Sequence, residues 1–390
     1  MATTCRRFWS GVGRVESRPV SARNILALNS GSSSLKFGLY RVDSAGAEPL
    51  LAETVATANE PDAINRVASV LAASGMPIPD AIGHRIVHGG PALRQHCRID
   101  AAVLRQLQAA AAFAPLHTPA ALALIHFTQQ HFAGVPQVAC FDTQFHAGLP
   151  DVARVLPIAR ELQSEGIQRY GFHGLSLESI VRQLGDDALH RSSPQLPERL
   201  VIAHLGNGAS VTALKAGRSI DTSMGLTPSG GVIMGTRSGD LDPGVLVYLL
   251  RENKLDATRL QALVDHRSGL LGISGLSSDM RRLHEAAAAN PDARLAIEMF
   301  CYSVRKQVAA MIAVLGGLDM LVFTGGIGEN DAQVRAEICS GLTWTGLSLD
   351  ELRNRSASNP VSDGASRCQV CVLPSQEDAQ IARHTWALCS

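Results

Sequence analysis

A duplicated α/β fold in two domains is what this sequence predicts, and three observations predict it. The chain has 390 residues, against roughly 150 for an average domain. A unit of apolar strand, glycine-rich polar turn and second strand occurs at Asn24–Tyr40 and recurs at Leu200–Leu214, one such hairpin per half. A third glycine loop, Gly325 to Asn330, follows the apolar run Leu321–Thr324 and leads into a helix-like stretch. Amides at such a helix start can face an anion or a nucleotide.

Residues 1–23 stand apart from this pattern. Arg6, Arg7, Arg14, Arg18 and Arg23 meet a single acid, Glu16, with no hydrophobic period. No apolar run follows Arg6-Arg7, which argues against a twin-arginine signal. A disordered extension or an early start codon is the reading, with an organellar presequence as the alternative. The fold then opens with Asn29-Ser-Gly31-Ser-Ser-Ser34-Leu35-Lys36 between two strands. Gly31 supplies backbone freedom, the serines supply hydroxyl and N–H donors, and Lys36 supplies a mobile positive charge, a combination that suits phosphate. It is not a Walker loop, because the GxxxxGK[ST] spacing is absent and a strand follows Lys36. A plain hairpin turn would use the same residue types.

Further along, Ala81–Gly90 reads as a buried strand ending in a glycine turn. Residues 100–113 carry Ala and Leu at helical spacing, stopped near Pro115. Gln137–Asp142 is a strand with a carboxylate at its C-terminal end, Leu177–Leu184 a helix, and Arg191–Pro197 a loop.

Composition narrows the partners. Lys+Arg and Asp+Glu balance at 35 each, so no net field draws the chain to nucleic acid or an acidic membrane, and a small ligand held locally is expected. No apolar run approaches the length of a membrane span. Eight scattered cysteines in a chain this long point to a reducing, cytoplasmic compartment. The lone CxxC, Cys368-Gln-Val-Cys371, sits in an apolar strand-like stretch without a second pair, which reads as plain thiols and not a zinc site.

An ordered series of blocks carries a resemblance: Asn29–Lys36, Gly83–Gly90, Phe141–His146, Arg169–Gly174, His204–Gly208, Asp221–Pro228, Met234–Gly244 and Phe323–Asn330. Over about Asn24 to Thr385 the chain resembles the acetate kinases, of the acetate and sugar kinase, heat-shock chaperone ATPase and actin superfamily. The resemblance implies a duplicated ribonuclease-H-like (actin-like ATPase) fold with two domains around a central cleft. On this chain they would be 24–147 plus 378–390, and 148–377 as the nucleotide-binding domain. It implies reversible transfer of the ATP γ-phosphoryl group to acetate, giving acetyl phosphate and ADP. It also implies Mg²⁺, with Mn²⁺ as a substitute, and a homodimer.

Phosphoryl transfer needs charge neutralisation and in-line positioning, so arginines, a polarised histidine and oxygen ligands for Mg²⁺ are the candidates. By resemblance Arg237 stabilises the transferring group, and the bland alternative is pairing with Asp240 or Asp242. Arg85 sits among apolar strand residues, where burying it without an anion is costly. The resemblance turns it toward acetate and phosphoryl group, and a structural salt bridge is its bland reading. His173 would donate to the phosphoryl oxygens, with His117 in a weaker version of that role. Asp142 closes a strand at the expected cleft. A carboxylic acid is already ionised at neutral pH, so a general base has little to do, and a metal or water-positioning role fits Asp142 better.

The matching metal positions are Asn29 and Glu377. Val87, Leu116, Phe172 and Pro228 match the pocket around the acetate methyl. Lys36, His204, Leu205, Gly206, Asn207, Gly208, Asp279, Met280, Arg281, Gly326, Ile327, Gly328, Glu329 and Asn330 match nucleotide-contacting positions. His84 and His88 straddle Arg85 on one strand face, and without a third ligand they read as core histidines.

Several neighbours depart from the usual pattern. Ser375-Gln376-Glu377-Asp378 stands for Thr-Asn-Glu-Glu, Leu175-Ser176-Leu177 for Thr-Ser-His, Thr118 for an asparagine, and Ser229-Gly230-Gly231 for Leu-Glu-Gly. These put the surroundings of the metal, of His173 and of the acyl wall in question. Three readings follow: an acetate kinase, a kinase for propionate or another short acid, and a nucleotide-binding regulator that closes without transfer. Retention of Arg85, Asp142, His173, Arg237 and Glu377 together opposes the last.

Overall fold

The computed structural model describes residues 21–31, 34–56, 60–114, 117–189 and 196–390. Most of the arginine-rich extension, part of the Gly31–Lys36 turn, Pro115, Leu116 and most of the 191–197 segment lie outside these residues.

Two mixed sheets carry the chain. The first contains β1 (Arg23–Ser30), β2 (Ser34–Val42), β3 (Ala47–Ala56), β4 (Ala81–Ile86), β5 (Cys97–Arg98) and β6 (Gln137–Phe141), in the order β3-β2-β1-β4-β6-β5. The second contains β7 (Arg199–Leu205), β8 (Ala209–Lys215), β9 (Arg218–Thr222), β10 (Met320–Thr324) and β11 (Gln369–Val372), in the order β11-β10-β7-β8-β9. In each sheet three antiparallel strands precede two parallel ones. β1 pairs with β2 and β2 with β3 antiparallel, while β4 runs parallel to β1 and β6 to β4. β7, β8 and β9 repeat the antiparallel set, and β10 and β11 the parallel one. The duplication expected from the two hairpins is thus a repeat of whole-sheet topology, the ribonuclease-H-like arrangement.

The central strands are apolar through their middles, as strands covered on both faces must be. Ile25 to Leu28, Leu200 to Ala203 and Leu321 to Phe323 are fully buried. The C-terminal helix Glu377–Cys389 packs over the first sheet, with Ile381 and Ala382 in one core with Ile25, Ala27, Ala81 and Val138. Gly83 permits that approach: a Cβ there would meet Thr385 Oγ1 at 2.2 Å and Ile381 Cγ2 at 2.6 Å. The long helix Pro291–Leu315 covers one face of the second sheet through Phe300, Val304, Val308 and Met311.

The helix Gly174–Leu189 touches both halves, with Leu175 in the first core and Leu177, Ile180 and Leu184 against Leu200 and Ile202. It begins three residues before the predicted Leu177, because Gly174 N donates to Asp142 O at 2.9 Å and anchors its first turn. The predicted helix at 100–113 is a helix over Ala101–Ala109, capped by Asp100, followed by a 3₁₀ turn over Ala110–Phe113.

His84 and His88 are core residues: His84 Nε2 lies 3.0 Å from Gln137 Oε1, and His88 Nδ1 accepts from Gly90 N. Cys368 and Cys371 are buried at the β11 edge of the second core. Among the described residues, His96, Glu178 and His384 bring potential ligand atoms together. His96 Nδ1 accepts the Phe141 amide at 2.9 Å, which leaves its proton on Nε2 and no lone pair there for a metal. The His384–Glu178 contact at 2.5 Å instead ties the C-terminal helix to the helix Gly174–Leu189.

Candidate active site

The parallel strands of both sheets end at one cleft of about 700 Å³, where the loops after β1, β4, β6, β7, β10 and β11 meet. Open α/β sheets bind ligands at such strand ends. Of the predicted residues, Asn29, Lys36, Arg85, Val87, His117, Asp142, Phe172, His173, His204, Gly206, Asn207, Gly208, Pro228, Arg237, Gly326, Glu329 and Glu377 line it. Leu205, Asp279, Met280, Arg281, Ile327, Gly328 and Asn330 do not, and Leu116 lies outside the described residues. Leu205 and Met280 belong to the second core. Asp279 caps the helix Met280–Ala286 and pairs with Arg281 at 2.7 Å in the open. Glu329 points its carboxylate inward, accepting from Gly325 N and Ser375 N at 2.9 Å each, and so joins the loops after β10 and β11.

On the first-sheet side Arg85 is held by a fork. Its Nε lies 3.0 Å from both Asp142 oxygens, Nη2 is 2.6 Å from Oδ2, and Nη1 donates to Asn29 Oδ1 at 3.0 Å. The anion that a buried arginine demands is therefore Asp142, which also lies 57 residues away in sequence. Burial pushes the Asp142 carboxyl up to about 6 against the pull of Arg85. Asn29 turns its amide nitrogen to Glu377 Oε2 at 2.9 Å and Asp378 Oδ1 at 2.7 Å. Burial works to raise Glu377, but Arg85 and His204 outweigh it and hold that carboxyl below its usual range; Asp378 is raised by burial.

On the second-sheet side the turn Phe172-His173-Gly174 holds His173 at φ 60°, a left-handed conformation rare outside glycine. His173 Nδ1 lies 2.9 Å from Ser210 Oγ, and its ring stacks on His204 at 4.1 Å. His204 Nδ1 in turn meets Ser176 Oγ at 2.8 Å. The altered Leu175-Ser176-Leu177 segment therefore steadies His204, while Ser210 holds His173. Burial drives His173 well below its ordinary value, with His204, Arg85 and Arg237 adding to the effect, and His204 and His117 fall to about 4. All three are neutral imidazoles at pH 7.

Arg237 is 9% exposed and donates to Pro228 O at 3.2 Å. Among the described residues no carboxylate lies within ion-pair distance of it. Asp240 is taken by Gly231 N and Asp242 by Gly244 N, so the pairing considered for Arg237 does not form. Burial lowers its pKa. Arg237 Nη1 and His173 Nε2 converge on Gly208, where an added Cβ would sit 3.4 and 3.3 Å from them.

Sequence reasoning missed Asp378 and Ser210. Asp378 follows Glu377 in the first turn of a helix, and adjacent acids there were a signal. Ser210 is the cross-strand partner of His204 in the β7–β8 hairpin, a register the turn itself fixes.

The sequence model of the acetokinase family matches residues 47–383. An acetate kinase of Methylocella silvestris is 40% identical over 403 aligned residues, covering 94% of this chain and 98% of that protein. One from Thermosynechococcus vestitus is 46% identical, covering 79% of this chain and 74% of its own. A propionate kinase structure from Francisella tularensis superposes with a TM-score of 0.83 at 36% identity, over 94% of this chain and all of the other. The acetate kinase structure of Porphyromonas gingivalis gives 0.80 at 33% identity, over 95% of this chain and 100% of that one.

Proposed function

The chain belongs to the acetokinase family, and we propose that it transfers the γ-phosphoryl group of ATP to acetate, reversibly, by direct in-line displacement. The observation that carries this is the convergence of Arg237 and His173 on Gly208, facing the Arg85–Asp142–Glu377 group across the cleft. A buried arginine with no carboxylate within ion-pair distance among the described residues, and only the charge of Asp265 acting on it from farther off, is matched to an anion that arrives with a ligand.

In this reading an acetate oxygen attacks phosphorus, the bond to the β–γ bridging oxygen breaks, and ADP leaves with the electron pair. No proton need move. Arg237 Nη1 and His173 Nε2–H meet the equatorial oxygens where charge is spread in the transition state. The contact of Nδ1 with Ser210 Oγ is compatible with this: with the hydroxyl as donor, the imidazole proton sits on Nε2. Val87, Phe172 and Pro228 take the methyl group, with Arg85 near the carboxylate. Lys36 and the Gly206–Gly208 and Gly325–Gly326 turns take the nucleotide phosphates.

The donors at the end of the first sheet fit a hard divalent cation, which keeps most of its waters and uses few protein oxygens. Glu377 would hold Mg²⁺, with Asp378 beside it and Asn29 orienting both carboxylates through Nδ2. When bound, the ion neutralises phosphate charge.

The domains we propose are 24–147 with 378–390, and 148–377, closing on the cleft. A homodimer is supported by the helix Pro243–Arg251, none of whose residues is buried and whose Val245, Val247, Tyr248 and Leu250 are exposed. Exposed large apolar side chains gathered on one helix mark an interface. No helix among the described residues is long and apolar enough to cross a membrane. Uncrosslinked thiols at Cys97, Cys140, Cys301, Cys339, Cys368 and Cys389 support a cytoplasmic setting.

The test is acyl-phosphate formation from ATP, Mg²⁺ and acetate, trapped with hydroxylamine. Arg237→Ala should lower kcat by about 10²–10³-fold, the usual effect of losing one charge-stabilising donor. A variant as active as the parent would overturn the assignment.

A further inference from the structure

Which nitrogen of His204 carries its proton is decided outside the cleft. The ring is neutral at pH 7, so a single proton sits on one of two nitrogens. Nδ1 lies 2.8 Å from Ser176 Oγ. Ser176 is fully buried, and its oxygen accepts the hydroxyl of Ser375 at 3.0 Å. Among the described residues this leaves His204 Nδ1 as the acceptor for the Ser176 hydrogen. A buried hydroxyl hydrogen without an acceptor is costly. Ser176 therefore donates, Nδ1 accepts, and the ring proton belongs on Nε2.

That second nitrogen looks into the cleft. A Cβ on Gly206 would sit 4.0 Å from His204 Nε2 and 3.9 Å from the Gly326 amide nitrogen, so both overlook the same side of that glycine. Nε2 has no hydrogen-bond partner of its own among the described residues. The outer end of the relay is fixed by backbone: the Ser375 amide donates to Glu329 at 2.9 Å, and the Gln376 amide to Ser179 Oγ at 3.1 Å, one turn along from Ser176.

Resting on the acetokinase reading above, we propose that Ser176 and Ser375 are positioning residues of the reaction, whose relay fixes the His204 tautomer in which Nε2–H donates to a phosphate oxygen of the nucleotide over Gly206. In the other tautomer a nitrogen lone pair would face that oxygen, and attraction would turn into repulsion. Ser375 stands where threonine is usual and keeps the one group the relay uses, its hydroxyl. It also lies two residues before Glu377. The segment that presents the carboxylate to the metal thus sets the donor for the phosphate.

The experiment reads the tautomer directly, from ¹⁵N–¹H correlation spectra of the full chain labelled at histidine, with His204→Gln identifying the signal. Calorimetric titration with ADP and Mg²⁺ and steady-state kinetics accompany it. The parent should show a bare Nδ1 and a proton on Nε2. In Ser176→Ala the two forms should mix, and ADP affinity should fall about tenfold or more, the worth of a hydrogen bond to a charged group. The KM for ATP should rise by the same factor while that for acetate stays constant. Ser375→Ala should give the same changes at smaller size, and Ser375→Thr should match the parent. In a His204→Gln background Ser176→Ala should change ADP affinity less than about twofold, because the ring through which it acts is gone.

A proton on Nδ1 in the parent overturns the proposal. So does a tautomer that Ser176→Ala leaves untouched, an ADP affinity that holds once the forms mix, or a Ser176→Ala loss of equal size with and without the ring. Should Ser176→Ala fail to fold, Ser375→Ala against Ser375→Thr carries the same comparison. If no acyl phosphate forms from acetate, the acetokinase reading fails, while the spectra and the ADP titration still decide the relay.

Discussion

A methyl group on Gly208 would stand 3.3 Å from His173 Nε2 and 3.4 Å from Arg237 Nη1, in the space proposed above for the phosphoryl group. Nothing in the fold needs that space, since no backbone atom is crowded there. Gly208→Ala should therefore leave the unfolding midpoint in urea unchanged and reduce kcat by about 10²-fold or more, the scale of a displaced charge-stabilising contact. Equal losses of stability and rate would show that the glycine serves the turn instead. At this scale the sequence was legible in kind and less so in partnership. Arg237, His173 and Glu377 stood out because their blocks are local. That Arg85 needed an anion followed from its apolar neighbours, yet which anion did not, because Asp142 reaches it through the β4–β6 pairing. The same distance hid Ser210 from His173, which comes from a different segment.

Among the elements, the C-terminal helix has the most direct hold on the chemistry. Its first turn carries Glu377 and Asp378 and its body is pressed onto β4 over Gly83. Gly83→Ala forces Thr385 and Ile381 outward, a form of overpacking that costs about 1–3 kcal/mol, and the helix pivots at the end that bears the carboxylates. The expected outcome is a lower urea midpoint together with a several-fold higher Mg²⁺ concentration for half-maximal rate. A change in midpoint alone would mean that the helix start is fixed independently, by Asn29. The strands and their glycine turns could be read from the chain because each is a short local pattern. The cover helix could not be assigned a sheet from its own residues, since it crosses the whole sequence to pack on the first strands.

For the whole molecule, the concentration of buried histidine sets the response to acid. His84, His88, His117, His146 and His204 are each pushed down to about 4 by burial, His96 to about 3, and His173 in the same direction. An unfolded histidine titrates near 6.5. Between pH 6.5 and 4 the unfolded chain thus binds protons that the folded one refuses, and each such group removes up to about 1.4 kcal/mol of stability per pH unit as the pH falls. Asp142, its native carboxyl holding a proton up to about 6, acts in the opposite sense together with Asp221 and Asp378, which burial also raises, but these three face seven histidines. Urea unfolding at pH 7.5, 6.5 and 5.5 should show stability falling steeply toward acid, and a flat profile would contradict the burial of these rings. At neutral pH the exposed apolar face on the helix Pro243–Arg251 should govern assembly. Val247→Glu with Tyr248→Glu is expected to convert dimer to monomer in sedimentation, and an unaltered dimer would move the interface elsewhere.

The fork between Arg85 and Asp142 has one more consequence. The cleft already holds, in effect, a carboxylate of its own in Asp142, tethered at a high local concentration. An incoming acid does not fill a vacancy but trades places with an internal rival of the same chemical kind. The energy of the new ion pair is offset by the one it loosens, so a small acid should bind weakly and leave quickly, whatever the strength of the arginine. Weak hold on the resting substrate keeps the charged groups in reserve for the moment of transfer, when the phosphoryl oxygens present a charge that Asp142 cannot imitate.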